Sequence, residues 1–170
     1  MNPDGSVDAV HEFKNSLSSN GKNILRALIA GETKVERHFI TPSRYDGVGG
    51  EGPRFECEEG IGGRVSSIYE NSSTMEATVT TDLSVFPPPL ILTAICTASE
   101  VEEGSVIQSV YTKIDIETEF QGNKWPRLYD FVANPPFLGY HLTNHHFASD
   151  EVIPVVLNQQ YAFNVVISFS

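Results

Sequence analysis

The chain is poor in cysteine and has no long apolar run. Cys57 and Cys96 are the two cysteines among 170 residues, too few for the disulfide framework of a small secreted domain. The sequence therefore favours a reducing compartment with Cys96 packed in a core, and a disulfide between the two is the less favoured alternative. The longest nearly apolar run, residues 85–96, contains three prolines and is too short to cross a bilayer.

Positive charge is scarce as well. The 11 Lys and Arg residues stand against 22 Asp and Glu residues, which gives a formal net charge of −11. Such a surface repels phosphate backbones and anionic lipid headgroups, so nucleic acid and membrane are not expected partners. Residues 1–4 carry no positive charge and begin no apolar segment, which predicts that there is no signal peptide. These features indicate a soluble protein of the cytoplasm or of a particle.

Signatures of catalysis are missing from the sequence. There is no Gly-x-Ser-x-Gly elbow for a serine hydrolase, and Cys57 stands among glutamates that disfavour its thiolate. The glycine-rich residues 47–53 lack the Gly-Lys-Ser/Thr ending and the following helix of a phosphate-binding loop. We therefore predict a simple connection there, no cofactor, and a protein without enzymatic activity. A β-barrel cyclase or isomerase and a metal-dependent enzyme are the enzymatic alternatives.

Hydrophobic periodicity changes early in the chain. Over residues 1–31 apolar residues recur at helical spacing in two stretches, 6–20 and 24–29, with Gly31 placed as a C-terminal cap. Further on the period is two, which predicts strands at residues 75–85, 90–98, 110–120 and 161–169. The expected fold is mainly β, with a helical N-terminal segment followed by an antiparallel β-sandwich or jelly-roll-like domain over residues 32–170.

Two of the predicted strands carry different patterns. Residues 90–98 are apolar at nearly every position, which is typical of a central strand covered on both faces. Residues 110–120 alternate instead, which predicts one buried face and one solvated face with Lys113 and three carboxylates. The spacing of these carboxylates is compatible with glycoside hydrolysis or calcium binding, but alternation alone explains them.

The densest cluster of metal-ligand residue types lies near the end of the chain. His141, His145 and His146 occur close together, with Asp150 and Glu151 directly behind them. Two imidazoles and a carboxylate could hold zinc or iron, so the three histidines are the candidate metal ligands. The helical His-Glu-x-x-His frame is missing, and a polar loop whose histidines bond to backbone or water is the alternative.

Residues 121–150, between the last two predicted strands, form a long aromatic segment. Long connections in compact domains are often functional, and Trp, Tyr and Arg dominate interface contacts and stack on sugar rings. The predicted recognition surface therefore consists of Trp125, Arg127, Tyr129 and Tyr140. The alternative is that these aromatic residues close one end of the sandwich.

The sequence thus predicts a non-enzymatic β domain that works by protein–protein contact, as a subunit of a homo-oligomer or of a virion- or phage-like particle. Amphipathic elements near both ends and the missing catalytic signatures support this hypothesis, since symmetric assembly is common among such domains. A module that binds carbohydrate or another small ligand is the second hypothesis, and an enzyme is the third. The expected partners are copies of the chain, with another protein or a carbohydrate as alternatives.

Overall fold

The computed structural model describes residues 16–31, 34–60, 74–116, 119–120, 123–124 and 140–168. Over these residues the chain is mainly β with antiparallel sheets and one short helix, as the sequence predicted. The helix, α1, spans Ser19–Ile29. The strands are β1 (Ser16–Leu17), β2 (Val35–Ser43), β3 (Glu56–Cys57), β4 (Met75–Glu76), β5 (Thr78–Thr81), β6 (Leu90–Ser99), β7 (Val106–Ile107), β8 (Ser109–Ile116), β9 (Glu119–Phe120), β10 (Asn123–Lys124), β11 (Tyr140–His146), β12 (Ile153–Pro154) and β13 (Gln160–Ile167). No helix in this part of the chain is long and apolar enough to reach across a membrane.

Two sheets make up most of the fold. The larger sheet has the strand order β1-β11-β8-β2-β4. The smaller has the order β13-β6-β3, and β5 also pairs with β6, on the edge that faces away from β13. Two short ribbons, β7–β12 and β9–β10, complete the described strands. β8 is the central strand of the larger sheet, with two strands on each side of it, and β6 is the central strand of the smaller sheet, with β13 on one edge and β5 and β3 on the other.

One apolar core joins the two sheets in a sandwich-like arrangement. The larger sheet contributes side chains such as Ile40 and Ile114, and the smaller contributes Leu92 and Phe163. Ile24 of α1 packs into the same cluster. The period-two pattern of the strands turns alternate residues inward, and each fully buried aliphatic or aromatic side chain contributes roughly 1.5–3 kcal/mol.

α1 begins later than the sequence predicted. Ser18 is its N-cap, and the Ser18 hydroxyl accepts a hydrogen bond of 2.9 Å from the backbone N–H of Gly21. Gly21 lies against β11, where a Cβ atom would come within 2.2 Å of the carbonyl oxygen of Leu142, so no larger residue fits. The predicted helical stretch 6–20 is wrong at its end, because Ser16–Leu17 is a strand and Gly21 lies inside a helix. The rest of that stretch lies outside the described residues.

α1 ends where the sequence predicted. Gly31 follows the C-cap residue Ala30 and has a φ of 70°, in the left-handed region that favours glycine. Its N–H donates to the carbonyl of Leu28 at 3.1 Å. Ile24 and Ala27 are buried on the inner side of the helix. The second predicted amphipathic stretch and its glycine cap are therefore confirmed.

Cys57 and Cys96 form a disulfide, with Cα atoms 5.0 Å apart. β3 pairs with β6 so that Cys57 lies opposite Ala98, which brings Cys96, two residues along the same face, within bonding reach. Both side chains are buried in the core. The sequence-based preference for unpaired cysteines, which rested on the expected reducing compartment, is therefore wrong, because the pairing of β3 with β6 brings the two residues together.

The predicted strand at residues 75–85 is two strands in different sheets. β4 pairs with β2 and β5 pairs with β6, so the chain changes sheet at Ala77. The carboxylate of Asp82 then accepts the backbone N–H of Ser84 at 2.9 Å and starts a turn. Leu83 and Val85, predicted as strand residues, consequently lie exposed in that turn.

The two central strands have the opposite burial from that predicted. Every residue of β8 from Ser109 to Ile114 is buried, and Lys113 exposes only 2% of its surface. In β6 the outward residues Thr93 and Ile95 are exposed. Alternation sorts residues onto two faces of a strand, but what packs on each face depends on the rest of the fold. We call the five-stranded sheet the covered sheet and the smaller one the open sheet.

Candidate interaction surface

The outer face of the open sheet carries no charged side chain on its three longest strands. Pairing of β5, β6 and β13 places ten residues there, which we call the uncharged face: Thr78, Thr80, Ile91, Thr93, Ile95, Thr97, Gln160, Ala162, Asn164 and Val166. Each of them is exposed or half-buried. Because the chain as a whole carries a net charge of −11, this face differs sharply from an average part of the surface.

The uncharged face is regular and fixed by the core beneath it. β6 and β13 pair over eight consecutive residues without a bulge, and Thr, Ile and Val favour extended backbone. The inward neighbours Leu92 and Val165 are buried. A slip of one residue between β6 and β13 would move the side chains of Leu92 or Val165 out of the core and expose them to water, so this register is strongly specified. Ile95 and Val166 consequently remain 42% and 43% exposed.

The carboxylate of Glu59 lies beside the uncharged face and bonds to the edge of β6. Glu59 accepts hydrogen bonds from the backbone N–H and the hydroxyl of Thr97. Burial acts to raise the pKa of Glu59, but the hydrogen bonds from Thr97 hold it below its ordinary value. The carboxylate of Glu59 therefore already accepts hydrogen bonds within its own chain, from Thr97.

An apolar tip extends from one end of the open sheet, in the turn between β5 and β6. Phe86 is 94% exposed and Leu83 is 82% exposed. The base of the turn is closed by the hydroxyl of Thr81, which donates to the carbonyl of Pro89 at 2.7 Å. An ordered loop loses little conformational entropy on binding. Large apolar side chains held in water on such a loop are typical of a contact surface.

A second apolar turn lies at the other end of the open sheet, between β12 and β13. Val156 and Leu157 are 55% and 56% exposed. The hydroxyl of Tyr161 accepts the N–H of Val156 at 2.8 Å and donates to the carbonyl of Pro154 at 2.9 Å. Burial raises the pKa of Tyr161, so the hydroxyl keeps its proton and its donor role. The open sheet therefore presents apolar residues at both ends as well as on its face.

The three histidines predicted as metal ligands divide between two sides of β11. The rings of His141 and His146 lie 5.1 and 5.7 Å from the ring of Tyr111, measured between centroids. His145 contacts Phe147 instead, at 4.9 Å. Burial and the neighbouring His145 lower the pKa of His146. In the part of the chain that the structure describes, no three His, Cys, Asp or Glu side chains come close enough to hold a metal ion.

The glycine-rich loop closes around its own aspartate. Asp46 accepts the N–H groups of Val48 at 2.8 Å and of Gly50 at 2.9 Å, and these hydrogen bonds lower its pKa. The guanidinium of Arg44 donates to the carbonyl of Gly52 at 2.9 Å. N–H groups that could bind an anion are therefore used inside the loop, which supports the predicted connection and not a phosphate site.

The predicted recognition residues lie mostly beyond the described part of the chain. Trp125, Arg127 and Tyr129 fall outside it, so the ligand-binding hypothesis stays a prediction. The backbone of Tyr140 begins β11 and pairs with Ile114. Sequence reasoning missed the uncharged face, although the charge-free run from Gln160 to Ile167 was visible as a signal.

The chain matches no family model, no curated protein and no solved structure. Its function therefore has to be inferred from its own surface. The most distinctive part of that surface, among the described residues, is the open sheet with its uncharged face and two apolar ends.

Proposed function

We propose that this chain is a non-enzymatic β domain that associates with copies of itself, as a subunit of a homo-oligomer or of a larger particle. The uncharged face of the open sheet carries the proposal. Ile95 and Val166 face solvent there, on a regular sheet surface of the kind that marks contacts between proteins. The apolar tip at Phe86 extends the same surface at one end.

Charge favours a second copy as the partner. Two molecules that each carry −11 repel one another over most of their surfaces. Like charges brought together in an interface cost several kcal/mol, and two uncharged faces bring none together. A cationic partner would gain most from the acidic surface and would not select a face without carboxylates. The face therefore suits a partner of the same sign.

The size of the face is compatible with a contact that needs support from its surroundings. Three strands about 4.8 Å apart and six residues of about 3.4 Å each give a patch of roughly 14 by 20 Å. A specific interface buries about 800 Å² on each partner. The exposed residues at the ends of the sheet, Phe86 and Leu157, supply additional apolar surface.

The disulfide between Cys57 and Cys96 supports a setting in which thiols are oxidised. Disulfides persist in extracellular space and on virion surfaces, and they are rare in a reducing cytosol. This setting agrees with a particle subunit, and we propose it in place of a reducing compartment. The mass of the intact protein from its source, compared before and after reduction, tests this part of the proposal.

Ile95→Glu is the variant that tests self-association. Ile95 lies in the middle of the uncharged face and is 42% exposed, so the substitution should change folding little. Every copy carries the substitution, so stacked faces would bring the introduced carboxylates together, and we expect association to weaken at least about tenfold. Size exclusion with light scattering over a hundredfold range of concentration measures the effect.

Ile29→Glu is the matched control. It makes the same substitution at the end of α1, where Ile29 is 80% exposed and lies outside the open sheet. This variant should associate like the wild type. Equal weakening by both variants would show that added charge alone opposes association. A wild-type chain that is monomeric at every concentration would contradict the proposal.

A further inference from the structure

β13 lies at one edge of the open sheet among the described strands. Among the described residues its strand partner is β6, on one side only. The eight residues Gln160–Ile167 contain no proline and no charge, and their pairing contains no bulge. Proteins use these devices to protect edge strands, because a bare edge hydrogen-bonds readily to another chain. β13 has none of the three.

Alternation identifies the backbone groups that face outward at this edge. Thr97 of β6 bonds away from β13: its carbonyl accepts the N–H of Glu58 at 2.9 Å, and its own N–H donates to Glu59. Thr97 and Gln160 are therefore a pair without hydrogen bonds between them, and the backbone N–H and C=O groups of Gln160 point away from β6. The same holds for every second residue of β13 that follows. The outward N–H and C=O groups thus belong to Ala162, Asn164 and Val166.

We propose, on the basis of the self-association above, that two copies pair their β13 edges antiparallel about a twofold axis at Asn164. In this register Ala162 lies opposite the partner's Val166, and the two Asn164 residues face each other. The same three residues in each copy then donate and accept across the axis, as an isologous contact requires. The two open sheets become one continuous sheet.

A second copy fits this edge better than a foreign strand does. The side chains beside the axis are those of Ala162, Asn164 and Val166, all uncharged, so Ala162 meets the partner's Val166 and the two Asn164 residues meet without repulsion although each chain carries −11. Edge pairing also joins two uncharged faces side by side, which gives a surface about twice as wide for further contacts. Edge pairing therefore adds backbone hydrogen bonds and a wider face to a patch that is small for a standard interface.

Asn164→Pro tests the edge directly. Proline removes an outward N–H that does not bond to β6, so the sheet keeps its internal hydrogen bonds. We expect association at least about tenfold weaker than in the wild type, with an unchanged far-ultraviolet circular dichroism spectrum. Asn164→Ala is the matched control, because it shortens the same side chain and keeps the N–H, and it should associate like the wild type.

Cysteine cross-linking gives a second measurement that does not depend on a proline variant. The two native cysteines are bonded to each other, so Asn164→Cys and Thr93→Cys each add a single free thiol. Residues paired across an antiparallel axis have Cα atoms about 5.5 Å apart, within disulfide range. Asn164→Cys should give a covalent dimer under mild oxidation, and Thr93→Cys, one strand further in, should not.

The results distinguish this inference from the proposed function. Loss of association in Asn164→Pro supports edge pairing. If Asn164→Pro fails to fold, a covalent dimer of Asn164→Cys supports edge pairing instead. Wild-type association of Asn164→Pro, or a cross-link at Thr93 in place of Asn164, overturns edge pairing and leaves self-association through stacked faces. A wild-type chain that stays monomeric overturns both.

Discussion

The covered sheet and the open sheet use their central strands in opposite ways. In β8 the outward residues Tyr111 and Lys113 are polar and buried, whereas in β6 the outward residue Ile95 is apolar and exposed. Burial of apolar surface stabilises a fold by about 25 cal/mol per Å². The open sheet leaves this contribution unused within one molecule, so the comparison favours burial between molecules.

Polar residues on the outer side of the covered sheet are bonded inside the protein. The hydroxyls of Thr41 and Thr74 lie 2.7 Å apart, and the hydroxyl of Ser109 donates to the carbonyl of Tyr45 at 2.8 Å. Buried polar groups are tolerated when they are hydrogen-bonded. An alternating strand therefore does not require a solvated face, and an apolar strand does not require cover from its own chain.

Removal of the disulfide should have the largest effect on stability and should affect the open sheet first. Cys57→Ala together with Cys96→Ala opens a loop with a sequence separation of 39, which corresponds to a loss of about 4 kcal/mol in the chain-entropy model. Urea unfolding measures the loss, and hydrogen exchange should show β6 losing more protection than β8. Reduced wild type is the control and should unfold at the same urea concentration as the variant. A loss below about 1 kcal/mol would contradict this role.

Alanine at matched outward positions should separate the two sheets. Phe39, on the outer side of the covered sheet, is fully buried, and Ile95 on the open sheet is 42% exposed. Phe39→Ala should lower the free energy of unfolding by about 3 kcal/mol, and Ile95→Ala by less than about 1 kcal/mol. Urea unfolding of dilute protein compares the two variants. Equal losses would show that the outer faces are covered to the same extent.

The features that local sequence determines were predicted correctly. Periodicity gave the β class, and the apolar spacing over residues 24–29 with Gly31 behind it gave the helix and its end. The disulfide and the change of sheet at Ala77 were missed, because both depend on which distant strands become neighbours. The burial of β8 was missed for the same reason.

The candidate site shows a similar division. Predictions from residue type alone placed His145 and His146 in one cluster, but consecutive residues of a strand point to opposite faces, and their rings have different neighbours. In an extended chain alternation predicts that His141 and His145 share a face. That prediction is wrong, because the pairing of β11 with β8 shifts register between His141 and Thr143 and both His141 and His146 contact Tyr111. The uncharged face needed the pairing of β13 with β6, which alternation does not supply.

A buried hydroxyl pair should have a smaller and non-additive effect. Thr41→Val leaves the hydroxyl of Thr74 buried without the partner it has at 2.7 Å, and this should cost about 1–2 kcal/mol. Thr41→Val combined with Thr74→Val removes both groups and should cost less than the sum of the single variants. Urea unfolding of the four proteins of this cycle gives the coupling energy. Additive losses would mean that the two hydroxyls do not stabilise each other.

The smallest expected effect is a difference between the sheets in their response to pH. In the covered sheet burial lowers the pKa of His38 and of His146. The unfolded chain then binds protons on these two histidines more tightly than the folded chain does. The free energy of unfolding is therefore highest above about pH 6.5 and decreases as the pH falls below that value. Urea midpoints between about pH 7.5 and 5 should fall in the wild type and fall less in His38→Gln.

The open sheet should respond in a lower window. Hydrogen bonds from Thr97 leave the pKa of Glu59 lowered despite partial burial, so its contribution is present above about pH 4.5 and disappears as the pH falls through the folded value. Glu59→Gln should therefore flatten the response below about pH 4.5 and leave the response near pH 6 unchanged. Hydrogen exchange of the β6 and β8 amides, measured near pH 6 and below about pH 4.5, shows which sheet loses stability in each pH range. If β6 lost protection first near pH 6, the two sheets would not be separate titrating units, and the contrast between them would be limited to burial.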